Sequence, residues 1–183
     1  MGGFRACAES VEMIFQHLRT TPWEPTFQWV STLKEVADLI NKPHEDYPER
    51  VLRTEKAILH LTNKLNTLVA YGSRGLFSSQ LRGTHKRVFG DTRHAGCWRQ
   101  IEVRVGLHTP PRSHQVPRLM GQLEGSYFSL SISYMTIEKL IEWYKDFETV
   151  HPFQDGNGRV GGITLAAYSH KLHPEQGYLA VNQ

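Results

Sequence analysis

Helical spacing of apolar residues is the feature that most restricts how this 183-residue sequence can fold. In one segment after another, apolar side chains recur at intervals of three and four residues, which places them on one face of an α-helix. The segments with this pattern span about residues 11–18, 27–40, 51–68, 78–89, 117–123, 136–150 and 157–167. Because proline or glycine clusters separate most of them, the sequence predicts a mainly α protein built as a helical bundle.

One segment departs from the helical spacing. Ile101, Val103 and Val105 alternate with charged residues, and this period of two is typical of a β-strand. Gly106 and the Pro110–Pro111 pair that follows favour a turn. We therefore expect one short β-hairpin within the bundle.

Charge and cysteine content narrow the classes of function. The formal net charge is only +3, without the concentrated positive charge of nucleic-acid-binding proteins. No apolar run approaches the roughly 20 residues that cross a membrane. The two cysteines, Cys7 and Cys97, are too few for a disulfide framework and fit a reducing compartment, while a single disulfide between them stays open. We expect a soluble, cytoplasmic protein that binds neither nucleic acid nor membranes.

The run from His151 to Arg159, between two predicted helices, carries the candidate catalytic and binding residues. Residues 156–158, Gly-Asn-Gly, precede a helix, where backbone N–H groups and the helix dipole favour an anion such as phosphate. Arg159 adds a cation for the same anion. His151 can accept a proton from an attacking hydroxyl, and the Asp155 carboxylate suits Mg²⁺ bound to nucleotide phosphates. Phosphoryl or nucleotidyl transfer needs this set of groups.

The same residues resemble the Fic family. The family signature is His-Pro-Phe-x-Asp/Glu-Gly-Asn-Gly-Arg-x-x-Arg, and residues 151–159 agree with it at all eight specified positions. Further agreement is found in residues 81–90, 95–99 and 105–117. The resemblance covers about residues 50–172 and implies the Fic fold, a mainly α helical bundle with one β-hairpin flap. It also implies a Fic core domain at residues 50–183, preceded by an N-terminal helical extension at residues 1–49.

The resemblance further implies an activity. Most Fic proteins are similar in transferring AMP from ATP to a Ser, Thr or Tyr hydroxyl of a target protein. A protein adenylyltransferase is therefore expected, with ATP as co-substrate and Mg²⁺ as cofactor. By the same resemblance, His151 is the general base, Asp155 is the Mg²⁺ ligand and Arg159 holds the outer phosphates. The nest around the α- and β-phosphates is formed by Gly156, Asn157 and Gly158.

In the Fic family the hairpin is the flap that registers a segment of the target by main-chain pairing. The resemblance implies that the flap residues here are Val103, Arg104, Val105, Gly106 and Leu107. The expected partner is the target protein that carries the modified hydroxyl. A small antitoxin chain, as in a toxin–antitoxin pair, or self-association is a further candidate partner. Delivery to another cell as an effector stays open beside the cytoplasmic location.

Two positions depart from the family pattern. The final arginine of the signature falls on Gly162, which removes one charge-assisted phosphate contact of about 1.5–3 kcal/mol. Three alternatives follow: a weakened AMP transferase, a Fic enzyme with another nucleotide or phosphate donor, and a catalytically silent Fic-fold binding module. The family's inhibitory motif, Ser/Thr-x-x-x-Glu-Gly/Asn, matches residues 31–35 except that Val36 follows the glutamate. Glu35 is thus a candidate inhibitory residue.

Overall fold

The computed structural model describes residues 24–70 and 78–182. Most of these residues are helical, as the apolar spacing predicted. The elements in chain order are β1 (Thr26–Val30), α1 (Leu33–Asn41), α2 (Tyr47–Ala70), α3 (Ser78–Phe89), α4 (Val116–Tyr127), α5 (Ile137–Val150), α6 (Asn157–Leu172) and β2 (Tyr178–Asn182). Short 3₁₀ turns lie at Ser113–Gln115, Ile132–Tyr134 and Pro174–Gln176.

Helix α6 is the centre of the bundle. Apart from the partly exposed Gly158, its residues are buried from Asn157 at its start to Ser169 near its end, and it packs against α1, α2, α3, α5 and β2. A helix that is buried all round needs no polar face, which is why small and apolar residues fill most of it. Because its neighbours fix α6 on every side, the start of this helix is a rigid place for a site.

Local capping signals set the starts of two other helices. The Thr32 hydroxyl accepts a hydrogen bond from the Glu35 N–H, and the Glu35 carboxylate accepts from the Thr32 N–H, which forms a capping box for α1. The Thr136 side chain accepts from the Lys139 N–H at the start of α5. The predicted helix over residues 136–150 is therefore confirmed to within one residue.

The two strands form an antiparallel pair that the sequence analysis did not predict. Thr26 lies opposite Asn182, and Val30 lies opposite Tyr178. The helix predicted from residue 27 is wrong over its first residues, because Thr26–Val30 is a strand and helix α1 begins only at Leu33. β-branched and aromatic side chains in both strands favour this pairing, but the partners are too far apart in sequence for a local pattern to reveal it.

The hairpin predicted near residue 105 is smaller than expected. Val105 and His108 exchange both backbone hydrogen bonds, at 3.0 and 2.9 Å, and form an isolated bridge around the turn at Gly106 and Leu107. Within the described ranges, Ile101 and the residues up to Arg104 have no strand beside them. Alternation alone does not make a strand, since a strand needs a neighbour for its backbone groups.

Some predictions lie outside the described residues, namely the helix at residues 11–18, the helix end at residues 71–75 and Cys7. Cys97 is an exposed free thiol. The proposed boundary between residues 49 and 50 stays a prediction, although β1 and α1 pack against elements from the far end of the chain. Within the described ranges, no helix has both the length and the apolar character needed to cross a membrane.

Candidate active site

The loop between α5 and α6 holds His151 at its first position. His151 ends α5 with left-handed backbone angles, φ 50° and ψ 62°, and is the one described non-glycine residue with a positive φ. This conformation costs an L-residue about 1–2 kcal/mol. Two hydrogen bonds hold it: the His151 N–H donates to the Phe147 carbonyl at 2.9 Å, and the His151 carbonyl accepts from Arg99 Nε at 2.8 Å. Strain of this kind is typical of functional sites.

The His151 imidazole is mostly buried but reaches the surface. Its side chain is 16% exposed, while its Nδ1 atom is buried and has no hydrogen-bond partner among the described residues. Nδ1 lies 3.6 Å from a carboxylate oxygen of Glu148, one turn earlier on α5. The exposed part of the ring therefore belongs to its other atoms. Sequence analysis missed Glu148, although its spacing of three residues from His151 placed both on one helix face.

Asn157 holds the loop closed. Its side-chain oxygen accepts from the Phe153 N–H and its side-chain nitrogen donates to the Phe153 carbonyl, both at 2.8 Å. Phe153 itself is fully buried and anchors the loop in the core. Because both ends of the Asn157 amide make hydrogen bonds within the loop, we expect the backbone N–H of this residue to be its main group for a ligand. Its phosphate-binding role stays a prediction on that narrower basis.

The predicted anion nest lies at the start of α6, and its phosphate-binding role stays a prediction. Gly156 has φ 80°, and a Cβ atom there would lie 2.4 Å from a ring carbon of Phe89, so this position requires glycine. The Gly156 N–H donates to the Asp155 carboxylate at 2.7 Å, and Val160 is the first residue whose N–H returns to a carbonyl within the helix, that of Gly156 at 3.0 Å. The N–H groups of residues 157–159 thus remain for an anion.

Arg159 lies in the first turn of α6, and acidic side chains already contact it. Its guanidinium donates to Asp46 at 2.6 Å and lies 3.4 Å from Asp155. The group also stacks 4.5 Å from the centre of the Phe89 ring and is 3% exposed. Its Nε atom is buried without a hydrogen-bond partner in the described part of the chain. The cation predicted to hold phosphate is therefore present at the loop, but one of its nitrogens already donates to Asp46.

Asp46 is a site residue that sequence analysis did not find. It lies between α1 and α2 and accepts hydrogen bonds from both Arg159 and Arg50. Burial would raise the pKa of the Asp46 carboxyl, but the Arg50 hydrogen bond and the Arg159 charge lower this pKa below its usual value. Nearby, burial and the Arg159 charge lower the pKa of His44. No sequence signal links Asp46 to an arginine 113 positions away.

Asp155 lies largely exposed to solvent in the α5–α6 loop. Its side chain is 79% exposed; one oxygen accepts from the Gly156 N–H and the other lies 3.4 Å from Arg159. Among residues 24–70 and 78–182, no group of three or more His, Cys, Asp or Glu side chains could hold a metal ion. Mg²⁺, however, is usually held by one or two carboxylates together with substrate phosphates and water. A single exposed carboxylate beside an anion nest fits that requirement.

Arg99 supports the first half of the loop through hydrogen bonds to its backbone. The buried Arg99 donates to the carbonyls of Val150 and His151 at the end of α5 and to that of Pro111. Its own N–H donates to the Pro152 carbonyl at 2.8 Å. A cation is favourable at this place because the carbonyls at a helix C-terminus carry partial negative charge.

His85 supports the other half of the loop. Its Nδ1 accepts from the Gly96 N–H at 2.9 Å, so Nε2 carries the proton and donates to the Asp155 carbonyl at 3.1 Å. Burial lowers the pKa of His85 and keeps the ring neutral, as this arrangement requires. The ring also stacks on Phe153 with centroids 4.2 Å apart. His85 is therefore a structural histidine rather than a second base.

The flap residues lie at the surface beside the end of α5. Leu107 is 81% exposed at the tip of the turn, Val103 is half-buried, and Arg104, Val105 and Gly106 are exposed. The next residue, His108, is hydrogen-bonded through its ring to the Thr149 carbonyl at 2.9 Å, which ties the turn to α5 close to His151. The structure thus brings the flap near the loop, and its target-registering role stays a prediction.

Gly162 and Glu35 both make their contacts at helix α1. A Cβ atom on Gly162 would lie 3.0 Å from a side-chain carbon of Ile40, so this position faces helix α1. Glu35 is exposed and accepts from the N–H groups of Ser31 and Thr32, and the Thr32 bond first of all lowers the pKa of its carboxyl. In this arrangement Glu35 caps its own helix. Its inhibitory role stays a prediction.

The family model described as Fic/DOC family matches residues 76–169, just over half of the chain. The chain belongs to the Fic/DOC family. The match includes the whole loop and the flap, so the Fic signature and the geometry above concern the same residues.

Among curated proteins, the protein adenylyltransferase Fic of Culex quinquefasciatus is 33% identical in an alignment over 91 residues that covers 44% of this chain and 17% of that protein. A solved Fic family protein from Desulfovibrio desulfuricans G20 has a TM-score of 0.52 at 19% identity, covering 94% of this chain and 49% of that one. The Fic-1 protein of C. elegans has a TM-score of 0.49 at 18% identity, with coverage of 92% and 57%. The chain thus spans a sixth to about half of the length of these Fic proteins.

Proposed function

We propose that this chain is a protein adenylyltransferase that transfers AMP from ATP to a Ser, Thr or Tyr hydroxyl of a target protein. Membership of the Fic/DOC family and the relative named as an adenylyltransferase support a Fic-type transferase. The observation that carries the proposal is the α5–α6 loop, which places His151 and the start of α6 on either side of one short, rigid turn.

In the proposed reaction, the target hydroxyl oxygen attacks the α-phosphorus of ATP. The bond between that oxygen and phosphorus forms, the bond from the α-phosphorus to the bridging oxygen breaks, and pyrophosphate leaves. The hydroxyl proton passes to Nε2 of His151, because Nδ1 is buried on the side of Glu148. The strained backbone at His151 holds the ring at the rim of the loop, so little motion is needed when the hydroxyl arrives.

The phosphates would bind at the start of α6. The N–H groups of residues 157–159 and the positive end of the helix dipole favour their negative charge. Mg²⁺ held by Asp155 would neutralise charge on the phosphate oxygens. Arg159 would exchange its contact with Asp46 for a phosphate oxygen, since both acceptors compete for the same buried guanidinium.

The target would bind along the flap. Within the described ranges, residues 101–104 have no strand beside them, and of their backbone groups the Ile101 carbonyl accepts from the Arg99 side chain at 3.1 Å, so an extended peptide can add beside residues 102–104. Ile101, Val105 and Leu107 add exposed apolar surface, with 49%, 40% and 81% of each residue accessible. This mode requires few specific side chains, and it would position a hydroxyl next to His151.

The test is self-modification of the purified chain with ATP and Mg²⁺, followed by intact-mass measurement. We expect a mass gain of one adenylyl group that requires Mg²⁺ and is absent in His151→Ala. His114→Ala is the matched control, since His114 is exposed on a 3₁₀ turn outside the loop. Transfer by His151→Ala at the rate of the unchanged chain would refute the assigned base.

A second candidate function is a Fic-fold module that binds a partner without catalysis. The observation that favours it concerns the two positions that are arginine in the Fic signature. Arg159 is paired with Asp46, and the second position is Gly162, which packs against Ile40. Calorimetric titration with ATP and Mg²⁺ separates the two functions. Binding with modification supports the transferase, whereas absence of any ATP binding supports the module. A panel of other nucleotides and phosphate donors tests whether the donor is a different molecule.

A further inference from the structure

Glu148 lies where a carboxylate is unfavourable. It is in the last turn of α5, where the helix dipole disfavours negative charge. Its side chain is only 14% exposed, and its Oε1 atom is buried with no hydrogen-bond partner among the described residues. An unpartnered buried carboxylate oxygen is costly, so a chain optimised only for the stability of α5 would not place glutamate here.

Two titratable groups face this carboxylate. Tyr144 lies one turn earlier; burial first, and then the charge of Glu148, raises the pKa of its hydroxyl. On the other side, Nδ1 of His151 lies 3.6 Å from Oε2 of Glu148 and is itself buried and unpartnered. Within the described ranges, no lysine or arginine lies within 4.0 Å of the Glu148 carboxylate. His151 is therefore the one described basic group that can compensate its charge.

We propose that Glu148 is a positioning residue for His151: its carboxylate accepts a hydrogen bond from the Nδ1–H group and so keeps the Nε2 lone pair directed at the target hydroxyl. The assignment rests on the proposed function of the loop. The present 3.6 Å separation exceeds a hydrogen bond of about 2.7–2.9 Å by less than 1 Å, which a side-chain rotation supplies. Catalytic hydrogen bonds are often long before substrate binds.

The role has two parts in the reaction. Before transfer, the Nδ1–H tautomer leaves Nε2 free to accept the hydroxyl proton. After transfer, the ring carries a positive charge, and the adjacent carboxylate stabilises that charge until the proton passes from Nε2 to water. Glu148 touches neither the phosphates nor the target oxygen in this scheme, so it acts only through His151.

The test is the tautomer of His151 in the full chain, read from long-range ¹H–¹⁵N correlation spectra of histidine-labelled protein at mildly alkaline pH. The His151→Ala spectrum identifies the signals of this ring among the ten histidines. We expect the Nδ1–H tautomer in the unchanged chain and a mixture in Glu148→Ala. In Glu148→Gln, the amide can donate to Nδ1, so we expect the opposite tautomer. Glu142→Gln is the matched control on the same helix, with a side chain 47% exposed.

AMP transfer provides the second readout. We expect Glu148→Gln to slow transfer at least tenfold, and by at least as much as Glu148→Ala, since an inverted tautomer is worse than a mixed one. A purely structural role would give no such order. An unchanged His151 tautomer in Glu148→Gln overturns the assignment. The expected tautomers without any transfer by the unchanged chain would leave the contact established and refute the proposed function instead.

Discussion

Replacing Gly162 by arginine completes the Fic signature, but the structure predicts that the variant loses stability. Position 162 lies on the face of α6 that packs against α1, and a Cβ atom there would already lie 3.0 and 3.4 Å from two carbons of Ile40. Val36, Ala37 and Ile40 of α1 are buried in this contact region. We therefore expect the larger arginine side chain to displace α1 from α6.

The loss of stability in Gly162→Arg is estimated from the apolar side chains of α1 that would become exposed. Exposing Val36 and Ile40 costs about 1.5–3 kcal/mol for each side chain, or about 3–6 kcal/mol together. Replacing a helical glycine returns about 1 kcal/mol. We therefore expect the free energy of unfolding of Gly162→Arg to fall by about 2–5 kcal/mol.

Urea denaturation followed by circular dichroism measures this change. Gly162→Ala is the first control; its helix gain of about 1 kcal/mol offsets a tight contact with a flexible side chain, so we expect a change within about 1 kcal/mol. Gly161→Ala is the second, because its Cβ would lie 2.7 Å from the Tyr144 ring, and we expect a loss of about 1–2 kcal/mol. A Gly162→Arg variant as stable as the unchanged chain would refute the packing argument.

Three further predictions test other contacts. Asp46→Asn should lower the free energy of unfolding by about 2–3 kcal/mol, because Arg50 and Arg159 lose a charged acceptor. The same variant should bind ATP more tightly in calorimetry. Asp38→Asn, the control elsewhere in the N-terminal part, should leave ATP binding unchanged. Gly156→Ala should cost about 2–5 kcal/mol in urea denaturation from its positive φ and the Phe89 contact, whereas Gly121→Ala, with open space around it, should stabilise by about 1 kcal/mol. Burial lowers the pKa of His85 in the folded chain, so as pH falls the unfolded chain takes up a proton on this residue before the folded chain does. The free energy of unfolding should therefore decrease as pH drops below about 6.5, by at most about 1.4 kcal/mol per pH unit. An equally steep pH profile in His85→Gln would contradict this assignment.

The helices could be predicted because their signals are local. Thr136 and the apolar residues after it defined α5 almost to the residue, and the glycines at 156 and 158 marked the start of α6. The strands could not be predicted in the same way. Thr26–Val30 contains enough apolar side chains to resemble a helix face, and only its pairing with Tyr178–Asn182 decides its conformation.

In the candidate site, too, local signals were predictable and long-range contacts were not. His151, Asp155 and Arg159 were found because nine consecutive residues carry the signature. The groups that set their properties come from elsewhere: Asp46 pairs with Arg159, and Arg99 holds the end of α5. Such contacts depend on how the helices pack together, and the spacing of residues within one segment carries no information about that packing.

The antiparallel pairing of β1 and β2 determines how the chain responds to force. Because Thr26 lies opposite Asn182, the backbone enters and leaves this ribbon at the same end. Tension applied between these two residues loads the interstrand hydrogen bonds one after another, as in opening a zipper, rather than all together in shear. The ribbon should therefore open at low force, and the tension then passes to α1 on the β1 side and to the end of α6 on the β2 side.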